Sequence, residues 1–350
     1  MGLPQILIDF KTKADSVIKR SERGIVALIL KDNTGTFDNK VYTSESEIVT
    51  SHWTATNKDY ISKAFMGNPS RVIVERIGTT DTYTAALGRL KNKVFNYLAI
   101  PGIITADVAT IVTWIKEQRD TNKKTFKAVL PNANSNYEGV VSFCTAGIKV
   151  GNKTYTEMEY TARIAGILAG LPLSQSSTYF VLTDVESITE SVTPDADIDA
   201  GKLILVNDGS KIKIGRGVNS LTTITDIKGE SFKKIKIVEA IDLIRDDIRS
   251  TFENNYVGKV ANSYDNRILF IAAVNRYFKD LESQGVLYDK FDNKADIDIT
   301  AQTEWLKLTT VIDDWSETDI KQAATGSNLF VMAQVKIQDA IEDLTFKIYM

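Results

Sequence analysis

The stretch Leu344-Thr345-Phe346-Lys347-Ile348-Tyr349-Met350 alternates its side chains with a period of two. Leu344, Phe346, Ile348 and Met350 would share one face of a strand, and Thr345, Lys347 and Tyr349 the other. Chain ends ordinarily fray, so an amphipathic strand here demands a sheet against which to bury its apolar face. The opposite end carries the same pattern. In Pro4 to Phe10, residues Ile6, Ile8 and Phe10 fall on one face, with Gln5 and Asp9 opposite. Each of these strands has to be completed by a sheet, in its own chain or in another.

The 350 residues allow two or three domains and a real core. An apolar fraction of 43% and a charged fraction of 25% fit an ordinary globular protein. The 42 basic and 45 acidic side chains leave a net charge of −3 with no long run of one sign. That balance excludes a polybasic footprint for nucleic acid or for an anionic membrane. Ile25 to Leu30 and Ile164 to Leu173 are the apolar runs, both short of the ~20 residues of a membrane span. The N-terminal residues lack the basic-then-apolar plan of a signal peptide, so cytoplasmic synthesis is expected. The lone Cys144 excludes an internal disulfide and, in the apolar run Val140 to Cys144, is expected as a buried, inert thiol. The single histidine, His52, lies beside Ser51, Trp53 and Thr54 and reads as structural or exposed rather than catalytic.

Along the chain, Lys11 to Arg23 reads as a polar linker. Gly24 to Leu30 is a continuous apolar run, as in a central strand buried on both faces. Lys40 to Ile48 and Arg71 to Ile77 are further strand candidates, and a first mixed domain is expected to end near residue 80. A βα rhythm follows. Thr82 to Lys93 is helical, Val94 to Ile100 a strand, Ala106 to Arg119 a helix, and Phe126 to Leu130 and Val140 to Cys144 are strands. Tyr155 to Ala169 is a helix stopped by Gly170 and Pro172. This alternation implies an α/β layer with a largely parallel sheet. Asp184 to Asp199 reads as an exposed acidic loop. Lys202 to Asn207 and Lys211 to Ile214 form a hairpin about Asp208-Gly209. From Ile235 the pattern is α+β. One helix presents Ile241, Ile244, Ile248 and Phe252, a second spans Asn266 to Ser283 before Gly285, and strands follow at Ile297 to Ile299 and Leu329 to Ile337.

Few strings carry chemistry. Gly215-Arg216-Gly217-Val218-Asn219-Ser220 lacks the third glycine of a dinucleotide site and follows a hairpin rather than the first strand of a βαβ unit, so its glycines read as turn residues. No phosphate loop and no nucleophile elbow is present. Asp195-Ala196-Asp197, Asp296-Ile297-Asp298 and Asp313-Asp314 do not match a calcium loop and read as solvated acidic turns. The small residues of Arg163 to Gly170 read as a site of close backbone packing. Trp53, Trp114, Trp305 and Trp315 are scattered and read as core or interface anchors. No catalytic, cofactor-binding or metal-binding residue is nominated, and no cofactor is expected.

Several strings converge on one family. Arg163-Ile164-Ala165-Gly166-Ile167-Leu168-Ala169-Gly170-Leu171-Pro172, followed by Ser177-Thr178-Tyr179, resembles a segment of contractile phage tail sheath proteins. Gly201 to Leu205 and Arg216-Gly217-Val218-Asn219-Ser220-Leu221-Thr222-Thr223 are similar to that family's RGVNTLTT block, with Ser220 in place of the usual Thr. Ile237 to Asp242, Tyr256 to Asn262 and Arg267 resemble the helix pair that follows. Arg20 to Ala27 and Ala340 to Leu344 also fit. The ordered set spans nearly the whole chain. Its compact length resembles sheaths of Gram-positive myophages, defective prophages and R-type (diffocin-like) bacteriocins.

The resemblance implies a multi-domain sheath fold of α/β and α+β class. It would comprise an N-terminal arm and linker (1–22), an α+β domain (23–80), and a central subtilisin-like, non-catalytic α/β domain (81–233). An α+β C-terminal domain (234–341) and a C-terminal strand arm (342–350) would complete it. It implies a structural subunit that stacks as hexameric rings around an inner tail tube, meets baseplate and tail terminator proteins, and contracts to drive the tube through a cell envelope. Neither nucleic acid nor membrane insertion is implied. Assembly would occur in the bacterial cytoplasm, into a phage tail or tail-like particle released by lysis. Family members exchange terminal strands between subunits, which assigns that role to Ile6, Ile8, Phe10, Leu344, Phe346 and Ile348. The alternatives are an α/β enzyme, disfavoured by the single His, the single Cys and the missing phosphate loops, and a surface adhesion or binding module.

Overall fold

The computed structural model describes Ile18 and residues 23–350. Ile6, Ile8 and Phe10 lie outside the described residues. The described residues divide into two compact units, one of residues 23–242 with 339–350, the other of 243–338.

The larger unit is organised by β1 (Ile25–Lys31), in which six successive side chains are buried. Val26, Leu28 and Leu30 enter the core on one face of the sheet, and Ile25, Ala27 and Ile29 enter it on the other. A strand apolar on both sides belongs in the middle of a sheet with helices on both faces. The strands β2 (Asn39–Tyr42), β3 (Arg71–Ile77), β4 (Tyr97–Ala99), β5 (Lys127–Pro131), β6 (Val140–Phe143) and β9 (Lys202–Leu203) complete it, in the order β2-β3-β1-β4-β5-β6-β9. Every pairing is parallel except that of the edge strand β2. On one face lie α1 (Ala55–Phe65) and α4 (Glu157–Gly170); on the other lie α2 (Thr84–Leu90) and α3 (Thr105–Lys116). Two antiparallel hairpins are appended, β7 (Ile148–Val150) with β8 (Lys153–Tyr155) and β10 (Leu205–Asn207) with β11 (Ile212–Ile214). A short helix, α5 (Pro194–Asp199), begins on a proline.

The small residues of α4 allow its backbone to approach the end of α1. A Cβ on Gly166 would sit 2.0 Å from the Ala64 carbonyl oxygen, and one on Gly170 would overlap the Gly67 carbonyl oxygen. The start of α4 is fastened by a capping box between Thr156 and Glu159.

Several expectations change. Residues 23–80 and 81–233 contribute to one sheet, because β1 lies between β3 and β4. The two compact units divide between Asp242 and Leu243, inside α6 (Ile235–Asn255). The acidic loop 184–199 contains α5. Cys144 is only half-buried, its thiol beside the Ser142 hydroxyl at 3.3 Å, and burial pushes that thiol up. His52 ends a 3-10 turn and packs its ring against Phe37.

In the smaller unit, α7 (Tyr264–Ser283) packs Phe270 edge-on to Phe252 of α6 and to Tyr256 just beyond its end, and Tyr277 donates to Asp247 at 2.6 Å. The strands β12 (Lys294–Ile297) and β13 (Val331–Gln334) form an antiparallel pair, and α8 (Ile299–Lys307) and α9 (Glu317–Gln322) lie between them in sequence. This is the expected α+β plan, with α8 and α9 additional to it.

Candidate functional site: the anchored segment 339–343

Residues 341–350 form no regular element. Leu344, Phe346 and Ile348 are exposed, at 85%, 76% and 73% of their full surface, and so are Tyr349 and Met350. The apolar face of the alternating stretch is therefore not buried in its own chain. Expected as a strand, 342–350 pairs with no strand among the described residues.

Immediately before this stretch the chain is tied down. The Glu342 side chain is only 6% exposed. Its Oε1 accepts from the Thr178 hydroxyl at 2.6 Å and the Ser176 hydroxyl at 2.8 Å. Its Oε2 faces Lys234 Nζ at 3.3 Å and Arg216 Nε at 3.5 Å. Arg216 also pairs with Asp343, and Lys234 with Asp339. Three acidic residues from one short segment thus meet two cations from the body. Charge-assisted bonds of this kind are the stronger class.

The local sequence explains the arrangement. Gly217 donates its N–H to Thr178 Oγ1 at 3.0 Å, and a Cβ there would lie 2.5 Å from Ser177 Oγ. A glycine is required for the two loops to touch. Thr178 accepts that bond, its own N–H donates to Ser176 Oγ at 3.1 Å, and its hydroxyl donates to Glu342. Burial raises the affinity of the Glu342 carboxyl for a proton, but the hydroxyls of Thr178 and Ser176 and the charge of Lys234 outweigh it and hold the group below the ordinary glutamate range. Glu342 is therefore anionic at neutral pH.

Three strings far apart in sequence, around Ser177-Thr178, Arg216-Gly217 and Glu342, meet at one place. Sequence reasoning named each and did not bring them together. Lys234 carried no signal at all. Ser220, standing in the position of the usual Thr, caps an inner turn: its Oγ donates to the Tyr137 carbonyl at 2.9 Å.

In the smaller unit a second feature faces outward. Asn275 bonds both backbone groups of Ala295, donating to its carbonyl at 3.1 Å and accepting from its N–H at 2.7 Å. Ala295 thus directs its backbone away from β13, and the outer edge of β12 is closed there. By the same alternation Val331 and Ala333 direct theirs away from β12. Among the described residues those groups meet no backbone partner. No group of three or more His, Cys, Asp or Glu side chains that could hold a metal is present among the described residues. No described helix is long and apolar enough to cross a membrane.

Residues 78–220 match the family described as phage tail sheath protein central domain, and residues 228–350 match phage tail sheath C-terminal domain. The tail sheath protein of Clostridium phage phiCD119 is 40% identical over 360 residues, covering 100% of this chain and 99% of that protein. A sheath tail protein from Desulfitobacterium hafniense shares the fold with a TM-score of 0.72 at 18% identity, over 84% of this chain and 94% of that one. The contracted helical sheath protein of the anti-feeding prophage does so with a TM-score of 0.70 at 14% identity, over 100% and 99% of the two chains.

Proposed function

The chain belongs to the phage tail sheath family, and from this premise we propose that it polymerises as stacked six-membered rings into a sleeve around an inner tail tube. It is a structural protein and not an enzyme. The sleeve shortens to drive the tube through a target cell envelope, moving from a metastable extended lattice to a compact one stabilised by new contacts between subunit bodies. Baseplate and terminator proteins close its two ends. The particle is a phage tail or tail-like particle, assembled in the bacterial cytoplasm and released by lysis.

Cohesion of the sleeve comes from strands donated between subunits: Leu344, Phe346 and Ile348 in one arm, and Ile6, Ile8 and Phe10 in the other. The observation that carries this reading is the alternating stretch 344–350, exposed on both faces. Each apolar side chain fully buried on docking contributes roughly 1.5–3 kcal/mol, and main-chain pairing sets the register. The edge of β13 at Val331 and Ala333, which meets no backbone partner among the described residues, supplies the matching backbone groups. A head-to-tail donation of this kind does not close on itself and generates a helical polymer. The polar residues 11–23 serve as the hinge of the other arm.

Electron microscopy of a variant lacking residues 344–350 tests the reading. The expected variant unfolds thermally as the full chain does and forms no tubes. Tubes of normal dimensions from this variant refute donation of the C-terminal arm.

A further inference from the structure

Residues 339–343 follow directly on Gln338, the last residue of the smaller unit, yet they cluster with the larger one. We propose that Glu342 is a mechanical anchor, which makes the 23–242 unit the body to which the C-terminal arm is tethered. The inference rests on the donated-strand reading above and adds to it the point at which load enters the subunit.

The anchor is built from both sides. Ser176 and Thr178 hold Oε1 from one loop, Arg216 after β11 and Lys234 just before α6 hold Oε2, and Asp339 and Asp343 flank the glutamate and share the same two cations. Beyond this point Leu344 to Met350 are exposed and make no hydrogen bond or ion pair with any described residue. The anchor therefore divides the segment into a bound root and a free stretch. Seven extended residues from 344 to 350 reach roughly 23 Å. Freeing the root would add residues 339–343, about 16 Å more. With the root held, an acceptor has to lie close to the larger unit, and a pull on the arm is borne by Arg216, Lys234 and the two hydroxyls. With the root released, the same pull would pass along slack chain to Gln338.

The anchor also accounts for an otherwise unexplained burial. A glutamate near the end of a polar segment has no packing reason to be 6% exposed. A carboxylate taken from water is retained only when its hydrogen bonds and charge partners are supplied, and here four side chains supply them.

The test compares Glu342→Ala, Glu342→Gln and the 344–350 deletion with the full chain. Hydrogen exchange on the unassembled protein reads the root, and the critical concentration for tube formation reads the arm. In the full chain the amides of 340–343 exchange at least 10-fold more slowly than those of 345–350. Glu342→Ala removes that difference, leaves the melting temperature within about 2 °C, and raises the critical concentration at least 10-fold. Glu342→Gln, which keeps the shape and one acceptor but not the charge, falls between. If Glu342→Ala does not fold, Arg216→Gln combined with Lys234→Met removes the same charges from the other side and should act alike. Normal assembly of Glu342→Ala, while the deletion variant fails to assemble, overturns the anchor and leaves arm donation standing. Normal assembly of the deletion variant overturns arm donation and the anchor with it.

Discussion

Replacing Gly166 by alanine adds one methyl group to the most crowded helix crossing in the larger unit. On propensity alone the change should help, since alanine is favoured over glycine inside a helix by about 1 kcal/mol. Geometry reverses the sign. The new Cβ would lie 2.0 Å from the Ala64 carbonyl oxygen, 2.8 Å from its carbon and 3.0 Å from its Cα. All three are backbone atoms, and no side chain can swing away. Ordinary contact between carbon atoms begins near 3.5 Å, so α1 and α4 would have to separate by about 1 Å. α4 is buried along ten consecutive residues from Tyr160 to Ala169, and separation loosens all of that packing. Overpacking of this kind costs about 1–3 kcal/mol, toward the upper end when only backbone can yield. We expect a net loss of about 2 kcal/mol, and a fall in melting temperature of about 4–8 °C for a unit of this size. Gly88 in α2 is the control. It is also helical, but a Cβ there meets nothing within 4 Å, so Gly88→Ala should stabilise by about 0.5–1 kcal/mol. Urea unfolding followed by the fluorescence of Trp53 and Trp114 measures both. If Gly166→Ala proves as stable as the parent, or gains stability alongside Gly88→Ala, the close approach of the two helices is wrong.

Three further outcomes follow. Burial opposes ionisation of Asp32, but Asn57 Nδ2 at 2.7 Å and the backbone N–H groups of Thr54 and Thr34 outweigh it and hold its pKa down to about 2; a depressed carboxylate stabilises the fold above its unfolded pKa, so about 2 kcal/mol is present at neutral pH and lost as pH falls from about 4 to 2, and Asp32→Ala should flatten that part of the stability–pH curve. Asp242 bonds Arg119 at 2.9 and 3.0 Å and Lys127 at 3.0 Å, all buried; Asp242→Ala strands buried cations and should cost about 3–5 kcal/mol, read as a shift in the urea midpoint. Asn275→Ala leaves both backbone groups of Ala295 without their side-chain partner and should lower stability by about 1–2 kcal/mol, with faster exchange of the Ala295 amide.

The elements legible in the sequence were those whose side chains carry a repeat. β1 showed itself because six apolar residues in a row suit only a strand covered on both faces. The β10–β11 hairpin followed from Asp208-Gly209, and Gly209 takes the positive φ that such a turn needs. The end of α4 followed from Gly170 and Pro172. Elements without a strong repeat were missed. α1 reads ATNKDYISKAF, with an apolar face too sparse to stand out, and it exists because Tyr60, Ile61 and Ala64 are covered by α4. α8 and α9 are short and are set by their caps, Asp298 and Ser316. The polar segment near residue 80 connects strands of one sheet, a pairing that no local pattern in the sequence displays.

By itself the sequence determined the family, the βα rhythm and the amphipathic stretch 344–350, all properties of neighbouring residues or of ordered strings. Tertiary structure alone decided that Ser176, Thr178, Arg216 and Lys234 surround Glu342, more than 100 positions away from each of them. A carboxylate in a polar segment looks like any solvated charge until folding places its partners around it. Hydrogen bonds and ion pairs act over a few ångströms of space and carry no trace of separation along the chain.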